Sequence, residues 1–452
     1  MYDYARVEAY LDSFANYEVL PGFGFAGGGY DLSHVHELLC RLGDPQWGPL
    51  TVHVAGSKGK GSVAAMVASV LSTCGVRTAL YTSPHMVHLG ERIQVDGAPA
   101  TARQMSEALG LVKPHVEAML AEGRWRRHTY FEILTALAFV HFRMCGVEAQ
   151  VIEVGLGGRL DATNVVEADV CVITPISLEH TAVLGDTVQK IASEKAGIIK
   201  PGATIVTAPQ EYSALEVIRQ KCSSVGVPLL EVGRDVTFAV EEHDLYGQRV
   251  SVDGRFGWRQ FRIPLAGGYQ AENAATAFAA LKSLPDGGLA VGDDCLERGF
   301  VSVCWPGRFE VLAERPLLIL DGAHNPASMR RFADSLDVLN VPRPLVFVVG
   351  FSGDKNMVGT VAELVRCGGR FVLTRSSHPR AARPADIARR VVVLGVECVC
   401  EPVPVEALLR AASMAGPAGT VCVTGSLYLV ADILRAWRGG ARVRTPWNVP
   451  PH

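Results

Sequence analysis

The chain has 452 residues, of which 48% are hydrophobic and 20% are charged. This composition can bury substantial cores and excludes a mainly disordered or fibrous protein. Its 46 acidic and 43 basic residues give a formal net charge of −3, whereas a dedicated nucleic-acid binder usually has a basic excess. At roughly 150 residues per domain, the length indicates about three domains or two large ones.

The N-terminal residues, the apolar runs and the cysteines indicate the cellular compartment. The first residues, MYDYARVEAYLDSF, carry acids where a secretory signal needs basic residues and then an apolar stretch. No uninterrupted apolar run approaches the ~18 residues of a membrane span. The eleven cysteines show no CxxC pair, which predicts buried free thiols rather than a disulfide framework or a zinc ribbon. We therefore expect a cytoplasmic protein with no membrane partner.

Short β-branched runs alternate with helical patterns in the first part of the chain. The predicted strands are residues 51–54, 78–81, 150–154 and 170–173, and the predicted helices include residues 62–74 and 131–144. Such alternation is typical of βαβ units and a mostly parallel sheet. Between about residues 231 and 262 the pattern changes to one that predicts hairpins.

A second series of strands begins near Leu317, with LLILD, LVFVVG, FVLT and TVCVTG in order. The Pro306-Gly307 pair just before it is typical of a connection between domains. We predict an α/β protein with a P-loop-type, mostly parallel-sheet domain at residues 1–303. A smaller Rossmann-like α/β domain is expected at residues 304–452.

The segment VHVAGSKGKGSVAAMVASVL joins a strand to a helix through a glycine-rich loop. Gly56, Gly59 and Gly61 would let backbone N–H groups approach a phosphate at the helix N-terminus. Lys60 would neutralise the outer phosphates, and Ser62 could ligate magnesium. The spacing departs from the usual GxxxxGK[ST] pattern, so a glycine turn that serves only tight packing is the alternative. A dinucleotide site is disfavoured because GxGxxG is absent and the lysine would have no role there.

Two further polar residues follow neighbouring strands. Glu153 ends one predicted strand, and His180 lies in the loop after the next. The carboxyl ends of strands are where open α/β sheets bind ligands, and a carboxylate, an imidazole and a serine hydroxyl can hold magnesium against phosphate oxygens. Taken singly, His180 could be an ordinary loop histidine, Glu153 a buried paired acid, and Lys195 a solvated helix lysine.

Ten segments in order make the chain resemble the folylpolyglutamate synthase/dihydrofolate synthase family of the Mur ligase superfamily. They are HVAGSKGKGS, LYTSPHMVHLGERI, TYFEILTALAF, EVGLGGRLDATNVV, LEHTAVLGDT, SEKAGIIKPG, YQAENAATAFAAL, WPGRFEVL, LDGAHNPAS and VTGSLYLV. The combination of TSPH, LGGRLDATN and DGAHNP distinguishes this family from the cell-wall Mur ligases.

The resemblance implies an ATP-dependent ligase. A folate carboxylate would be phosphorylated by ATP, and the amine of L-glutamate would then attack the acyl phosphate to give an amide, ADP and phosphate. Dihydropteroate is a second acceptor that the family can use. In this reading residues 1–303 bind ATP, residues 304–452 form the glutamate-ligase domain, and the protein is a monomer.

The resemblance also implies roles for individual residues. ATP would contact Gly56, Gly59, Lys60, Gly61, Ser62, Asn273, Arg308 and Asp321. Two Mg²⁺ ions, with K⁺ as a further candidate cation, would be held by Ser62, Ser83, Glu153, His180 and Lys195, the last as a carbamylated lysine. The pterin would meet Thr129, Phe131, Asp161 and Ala162, and the incoming glutamate His324 and Ser426. Lys60, Lys195, His180 and His324 would be the catalytic residues.

Three residues depart from the family pattern. The loop reads GSKGKGS where the family usually has GTNGKGS, so Ser57 and Lys58 are unusual, and Lys58 adds a charge beside the phosphates. Tyr269 replaces a histidine that commonly precedes the glutamine at position 270, which would alter the adenine or linker environment. No residue that the mechanism requires is lost.

Two other functions remain open at this point. A cell-wall Mur ligase would share Lys60, Glu153, His180 and Lys195 and would act on a UDP-muramoyl substrate. A non-catalytic nucleotide-binding module could keep the fold, although the expected metal ligands are all present. A basic cluster in the segment RWRR, at positions 124, 126 and 127, suggests either a polyglutamate-tail site or a solvated basic loop.

Overall fold

A computed structural model describes residues 4–17, 31–285, 291–353, 355–440 and 447. The chain divides into two compact units. The first comprises Met1–Ala239, Val250–Arg262 and Ala271–Val303, and the second comprises Val240–Arg249, Ile263–Gln270 and Cys304–His452. The segments Val240–Arg249 and Ile263–Gln270 thus group with the second unit although they precede residue 304. The functions assigned to the two predicted domains stay predictions.

The described strands are short and mostly buried. They are β1 (Leu50–Ala55), β2 (Thr78–Tyr81), β3 (Ile93–Val95), β4 (Ala98–Pro99), β5 (Ala149–Glu153), β6 (Val170–Ile173), β7 (Thr204–Thr207), β8 (Leu229–Glu231), β9 (Val236–Asp244), β10 (Gly247–Gly254), β11 (Arg259–Ile263), β12 (Glu310–Glu314), β13 (Leu317–Leu320), β14 (Leu345–Val349), β15 (Arg370–Leu373), β16 (Cys398–Cys400) and β17 (Thr420–Thr424).

The described α-helices alternate with these strands. They are α1 (Tyr4–Asp12), α2 (Ser33–Arg41), α3 (Lys60–Thr73), α4 (Ala102–Ala121), α5 (Tyr130–Cys145), α6 (Thr181–Leu184), α7 (Val188–Lys195), α8 (Tyr212–Val225), α9 (Gly268–Lys282), α10 (Asp293–Val301), α11 (Pro326–Val338), α12 (Met357–Val365), α13 (Pro384–Val391), α14 (Pro404–Ala415) and α15 (Leu427–Gly439). Short 3₁₀ turns lie at Leu89–Arg92, Ala162–Val165, Ala196–Ile198 and Val392–Leu394.

The first unit contains an eight-stranded sheet with the order β4-β3-β2-β5-β1-β6-β7-β8. Strands β2, β5, β1, β6, β7 and β8 are parallel, and the two antiparallel pairings, β2–β3 and β3–β4, lie at one edge. β1 lies between β5 and β6 and is buried from Thr51 onward. Because parallel strands end at the same edge, the loops that follow β1, β5 and β6 are neighbours there.

The second unit contains a six-stranded sheet with the order β12-β13-β17-β14-β15-β16. Only β12 is antiparallel to its neighbour, and the remaining pairs are parallel. The predicted α/β class, with a mostly parallel P-loop-type sheet and a second Rossmann-like sheet, is confirmed. The hairpins predicted near residues 231–262 are the three-stranded sheet β11-β10-β9.

Local sequence explains where the helices near the site begin. Thr129 accepts a hydrogen bond from the backbone N–H of Glu132, whose carboxylate accepts from the N–H of Thr129 in return. This capping box starts α5, and Gly146, in the left-handed conformation, ends it. Helix α3 is apolar on all sides and almost wholly buried, as expected of a helix enclosed by its own domain.

The prediction that all cysteines are free is wrong for one pair. Cys74, directly after α3, forms a disulfide with Cys295 of α10, and the two lie 221 residues apart in sequence. The other nine cysteines are free, and Cys40, Cys304 and Cys400 among them are exposed rather than buried. Sequence spacing could not reveal the pair because tertiary packing alone brings the two helices together.

Among the described residues, none of the helices combines the length and apolar character that crossing a membrane would require.

Candidate active site

The loop between β1 and α3 has the shape of a phosphate cradle. Gly56 has φ +148° and Gly59 has φ +87°, conformations that side chains rarely adopt. A Cβ on Gly56 would lie 1.8 Å from Thr174 Oγ1, and one on Gly59 would lie 2.3 Å from Asn273 Oδ1. Glycine is therefore required at both positions. The first turn of α3, with Lys60, Gly61 and Ser62, directs its free N–H groups toward this loop.

Two lysines of the loop face different carboxylates. Lys60 Nζ lies 3.9 Å from Glu153 Oε1, at the end of the neighbouring strand β5. Lys58 Nζ instead donates to Glu179 Oε1 over 2.8 Å. The unusual extra charge of Lys58 is thus balanced by a carboxylate within the same unit.

Lys195 is a buried lysine at the end of α7. It is 5% exposed, and its Nζ donates a hydrogen bond to the backbone oxygen of Gly56 over 2.7 Å. Burial, followed by the nearby charge of Lys60, lowers the pKa of Lys195 to about 7. A solvated helix lysine, the alternative reading from the sequence, is therefore wrong. Lys195 thus joins the end of α7 to the phosphate loop, and its burial favours the neutral amine.

Glu153 is the carboxylate at the centre of the predicted metal set. It is 5% exposed, and its Oε2 accepts a hydrogen bond from the backbone N–H of Ser83 over 3.1 Å. His180 begins α6 after the β6 loop, with φ +52° and an exposed side chain. The described residues contain no group of three or more His, Cys, Asp or Glu placed to hold a metal ion. The two oxygens of the Glu153 carboxylate are hard ligands of the kind that suit Mg²⁺.

The predicted pterin residues lie around the loop after β5. Phe131, in the first turn of α5, packs its ring over Gly155, where a Cβ would come within 2.6 Å of Phe131 Cζ. Thr129 is buried and occupied with capping α5. Asp161 caps the turn that starts at Ala162, and its Oδ2 also accepts from the N–H of Leu156 over 2.8 Å. Burial raises the pKa of Asp161. In this structure Thr129 and Asp161 shape the loop, whereas Phe131 presents a partly open ring.

A buried histidine that the sequence reading missed supports the same loop. His53 of β1 is 1% exposed, and its Nε2 lies 2.9 Å from Thr163 Oγ1. Thr163 in turn donates its backbone N–H to Asp161 Oδ1 over 3.0 Å. Burial, and secondarily the charge of Lys200, lowers the pKa of His53 to about 3. The sequence signal that could have identified His53 is its position as a polar residue within the apolar run VHVA.

In the second unit, Asp321 follows β13 and organises a compact polar group. Its carboxylate accepts from the N–H groups of Phe309 and Ala323 over 2.9 and 2.8 Å. Tyr269 donates its hydroxyl to the same carboxylate over 3.2 Å, and burial raises the pKa of Tyr269 well above its ordinary value. Burial raises the pKa of Asp321, and the nearby positive charge of Arg308 offsets part of that rise. The tyrosine that departs from the family pattern is therefore a partner of a predicted ATP residue.

The two residues predicted to meet glutamate lie at the carboxyl edge of the second sheet. His324 follows β13, and its Nδ1 lies 2.9 Å from the backbone oxygen of Gly322. A carbonyl only accepts, so Nδ1 donates this hydrogen bond and carries the proton. Ser426 follows β17, is 5% exposed, and caps α15 by accepting from the N–H of Tyr428. β13 and β17 are adjacent, so the two residues follow neighbouring strands.

The arginines at 124, 126 and 127 serve the local structure. Arg126 pairs with the buried Glu132, and Arg124 donates to Glu122 over 3.0 Å. Arg127 lies over the ring of Phe14 and donates to a backbone oxygen. These contacts support a structural loop rather than a tail-binding site.

The chain matches two family models, the Mur ligase middle domain over residues 54–281 and the Mur ligase, glutamate ligase domain over residues 307–427. A Bacillus subtilis protein named dihydrofolate synthase/folylpolyglutamate synthase is 32% identical over 433 residues, which cover 95% of this chain and 98% of the relative. The solved structure of Mycobacterium tuberculosis folylpolyglutamate synthase complexed with ADP and AMPPCP matches with a TM-score of 0.86 and 30% identity, over 99% of each chain.

A Haloferax volcanii relative named "Probable bifunctional folylpolyglutamate synthase/dihydropteroate synthase" is 36% identical over 450 residues. The match covers 96% of this chain and 50% of that relative, so the chain spans about half the length of the relative.

Proposed function

Because the chain belongs to the folylpolyglutamate synthase/dihydrofolate synthase family of the Mur ligase superfamily, we propose that it joins L-glutamate to a folate with ATP. Dihydropteroate is the second acceptor that the proposal includes. The observation that carries it is the phosphate loop, where Gly56 and Gly59 permit close approach and Lys60 lies beside Glu153. We also propose that the protein acts as a cytoplasmic monomer.

The chemistry explains why these residue types are present. An ionised carboxylate is a poor electrophile, so its oxygen first attacks the γ-phosphorus of ATP and releases ADP. The glutamate amine then attacks the carbonyl carbon of the mixed anhydride, loses a proton and expels phosphate. Phosphoryl transfer needs positive charge spread over the oxygens rather than a protein nucleophile. Lys60 and the N–H groups of α3 supply that charge.

Magnesium, when bound, would neutralise phosphate oxygens and polarise the reacting phosphoryl group. Glu153 is the strongest candidate to hold it, because its carboxylate is buried at the strand end beside Lys60. Ser62, Ser83 and His180 would complete the oxygen and nitrogen donors. K⁺ stays in the proposal as a further cation, and no residues are assigned to bind it.

Lys195 is proposed to react with carbon dioxide to form a carbamate. The neutral amine attacks the carbon of CO₂, and a proton leaves to solvent. A lowered pKa provides the neutral amine near pH 7, and the product replaces a cation next to Lys60 with an anion. Lys195→Ala should be nearly inactive, and added acetate should restore part of the activity. Full activity of the unmodified enzyme in carbon-dioxide-depleted buffer would contradict this step.

On the second unit, His324 and Ser426 are proposed to position the incoming glutamate. His324 follows β13 and Ser426 follows the adjacent β17, and the Ser426 hydroxyl lies at the N-terminus of α15, where negative charge is stabilised. Arg308, Asp321 and Tyr269 would meet the nucleotide from the same unit.

A phosphate-release assay with ATP and L-glutamate tests the proposal, with tetrahydrofolate and dihydropteroate compared side by side. Release that depends on both a folate acceptor and glutamate is the expected result. A UDP-muramoyl acceptor serves as the control for the cell-wall alternative, and turnover with it alone would overturn the proposal. Nucleotide binding without turnover on any acceptor would favour the non-catalytic module.

A further inference from the structure

A cavity of about 680 Å³ in the second unit is lined by five arginines and one acid. The arginines are Arg375, Arg380, Arg383, Arg389 and Arg390, and the acid is Asp386. The volume falls within the ~300–1,000 Å³ of typical small-molecule sites. Among the described residues that line the cavity, five cations against one carboxylate indicate an anionic ligand.

Three of these arginines are not used by the fold. Arg389 pairs with Asp386, whereas the side chains of Arg375, Arg383 and Arg390 have no hydrogen bond or ion pair within the described part of the chain. Like charges held together without partners repel one another, so their grouping stabilises nothing in the free protein. A planar guanidinium binds carboxylate or phosphate through two parallel hydrogen bonds.

The cavity lies at the carboxyl edge of the second sheet. Arg375 follows β15, and Gly353, another lining residue, follows the adjacent β14. On the other side of β14 lies β17, which leads to Ser426. The strand spacing of ~4.8 Å places β15 roughly 10 Å from β17. The stacking of His378 on Tyr428, with ring centroids 3.9 Å apart, links the arginine loop to the first turn of α15.

We propose that this cavity binds the oligoglutamate tail of a substrate that already carries several glutamates. The inference rests on the proposed function. Each glutamate added to such a chain leaves one free carboxylate, so a tail presents a row of negative charges. A row of unpaired arginines a short distance from the residues proposed for the incoming glutamate matches that chemistry. A single small anion would not need a cavity of this size or this number of cations.

Binding of a fluorescein-labelled tetraglutamate to the full chain tests the inference by anisotropy, with α-linked and γ-linked forms compared. The variant Arg375→Gln/Arg390→Gln should weaken binding by about tenfold or more. Arg410→Gln is the matched control, because Arg410 is also exposed and lies outside the cavity. It should change binding less than about twofold. The thermal unfolding midpoints of both variants should match that of the wild type, because the replaced side chains have no partner within the described part of the chain.

Competition identifies the ligand class. Tetraglutamine should not displace the probe, and inorganic phosphate should do so only far above the tetraglutamate concentration. Displacement by phosphate at equal concentration would overturn the tail assignment in favour of a phosphate site. Equal binding by wild type and the double variant would also overturn it.

Turnover separates this inference from the proposed function. With a monoglutamate acceptor the double variant should keep the wild-type KM, whereas the KM for a triglutamate acceptor should rise about tenfold. Ligation without tail-dependent binding would refute the cavity inference alone. Tail binding without any ligation would refute the proposed function and leave the cavity inference in place.

Discussion

Acid should destabilise this protein through His53, the buried histidine that supports the loop after β5. Its folded pKa is about 3, whereas the ordinary value is 6.5. Below pH 6.5 the unfolded chain takes up a proton that the folded protein does not, so the free energy of unfolding falls as the pH falls. The loss starts near pH 6.5 and is complete near pH 3. Between these values the slope is about 1.4 kcal/mol per pH unit.

The magnitude can be isolated with His53→Gln, which keeps a polar side chain near Thr163 but does not titrate. Between pH 7 and pH 4.5, the wild type should lose about 2.5 kcal/mol more unfolding free energy than the variant. Urea denaturation at half-unit pH steps measures both proteins, and other titrating groups cancel in the difference. A difference that stays constant with pH would refute the burial of a neutral histidine at this position.

Three further predictions concern the phosphate loop and the disulfide. Lys60→Ala should fold normally and lose ~10²-fold or more of the proposed turnover, because cations on a transferring phosphoryl group contribute several kcal/mol. Near-normal turnover would contradict the phosphate-loop assignment. Gly59→Ala should destabilise the protein more than Gly97→Ala, since both residues have positive φ but only Gly59 also faces a close side chain. Equal losses of unfolding free energy in urea denaturation would argue against that contact. Thiol titration of the denatured, unreduced protein should find nine thiols, and eleven would exclude the Cys74–Cys295 bond.

The fold was largely predictable from the sequence, because the strands of both sheets are buried and flanked by helical patterns. The strands at 78–81 and 170–173 agree with the structure to the residue, and α3 begins only two residues before its predicted start. The antiparallel edges were not predictable from periodicity alone. Strands β3 and β4 are too short to show a pattern, and their pairing depends on a turn at Asp96 and Gly97.

The local geometry of the candidate site was predictable where its residues lie together in the chain, whereas their functional roles stay predictions. The glycines and lysine of the phosphate loop lie together in the chain, and Glu153 ends a strand that periodicity locates. The contacts of Lys195 and His53 were not predictable, because each depends on a partner more than 100 residues away. The sequence also could not show which arginines of the second unit are unpaired, because an arginine-rich segment looks the same whether or not its charges have partners.

The bond between Cys74 and Cys295 makes the intervening chain a covalent ring that contains most of the first unit. A protease that cuts once inside this ring, for example near the exposed Trp258, would leave a single molecule. On a denaturing gel the nicked protein would run near its full mass without reductant and separate into two fragments with it. A clipped population would therefore pass unnoticed through a preparation checked only under non-reducing conditions.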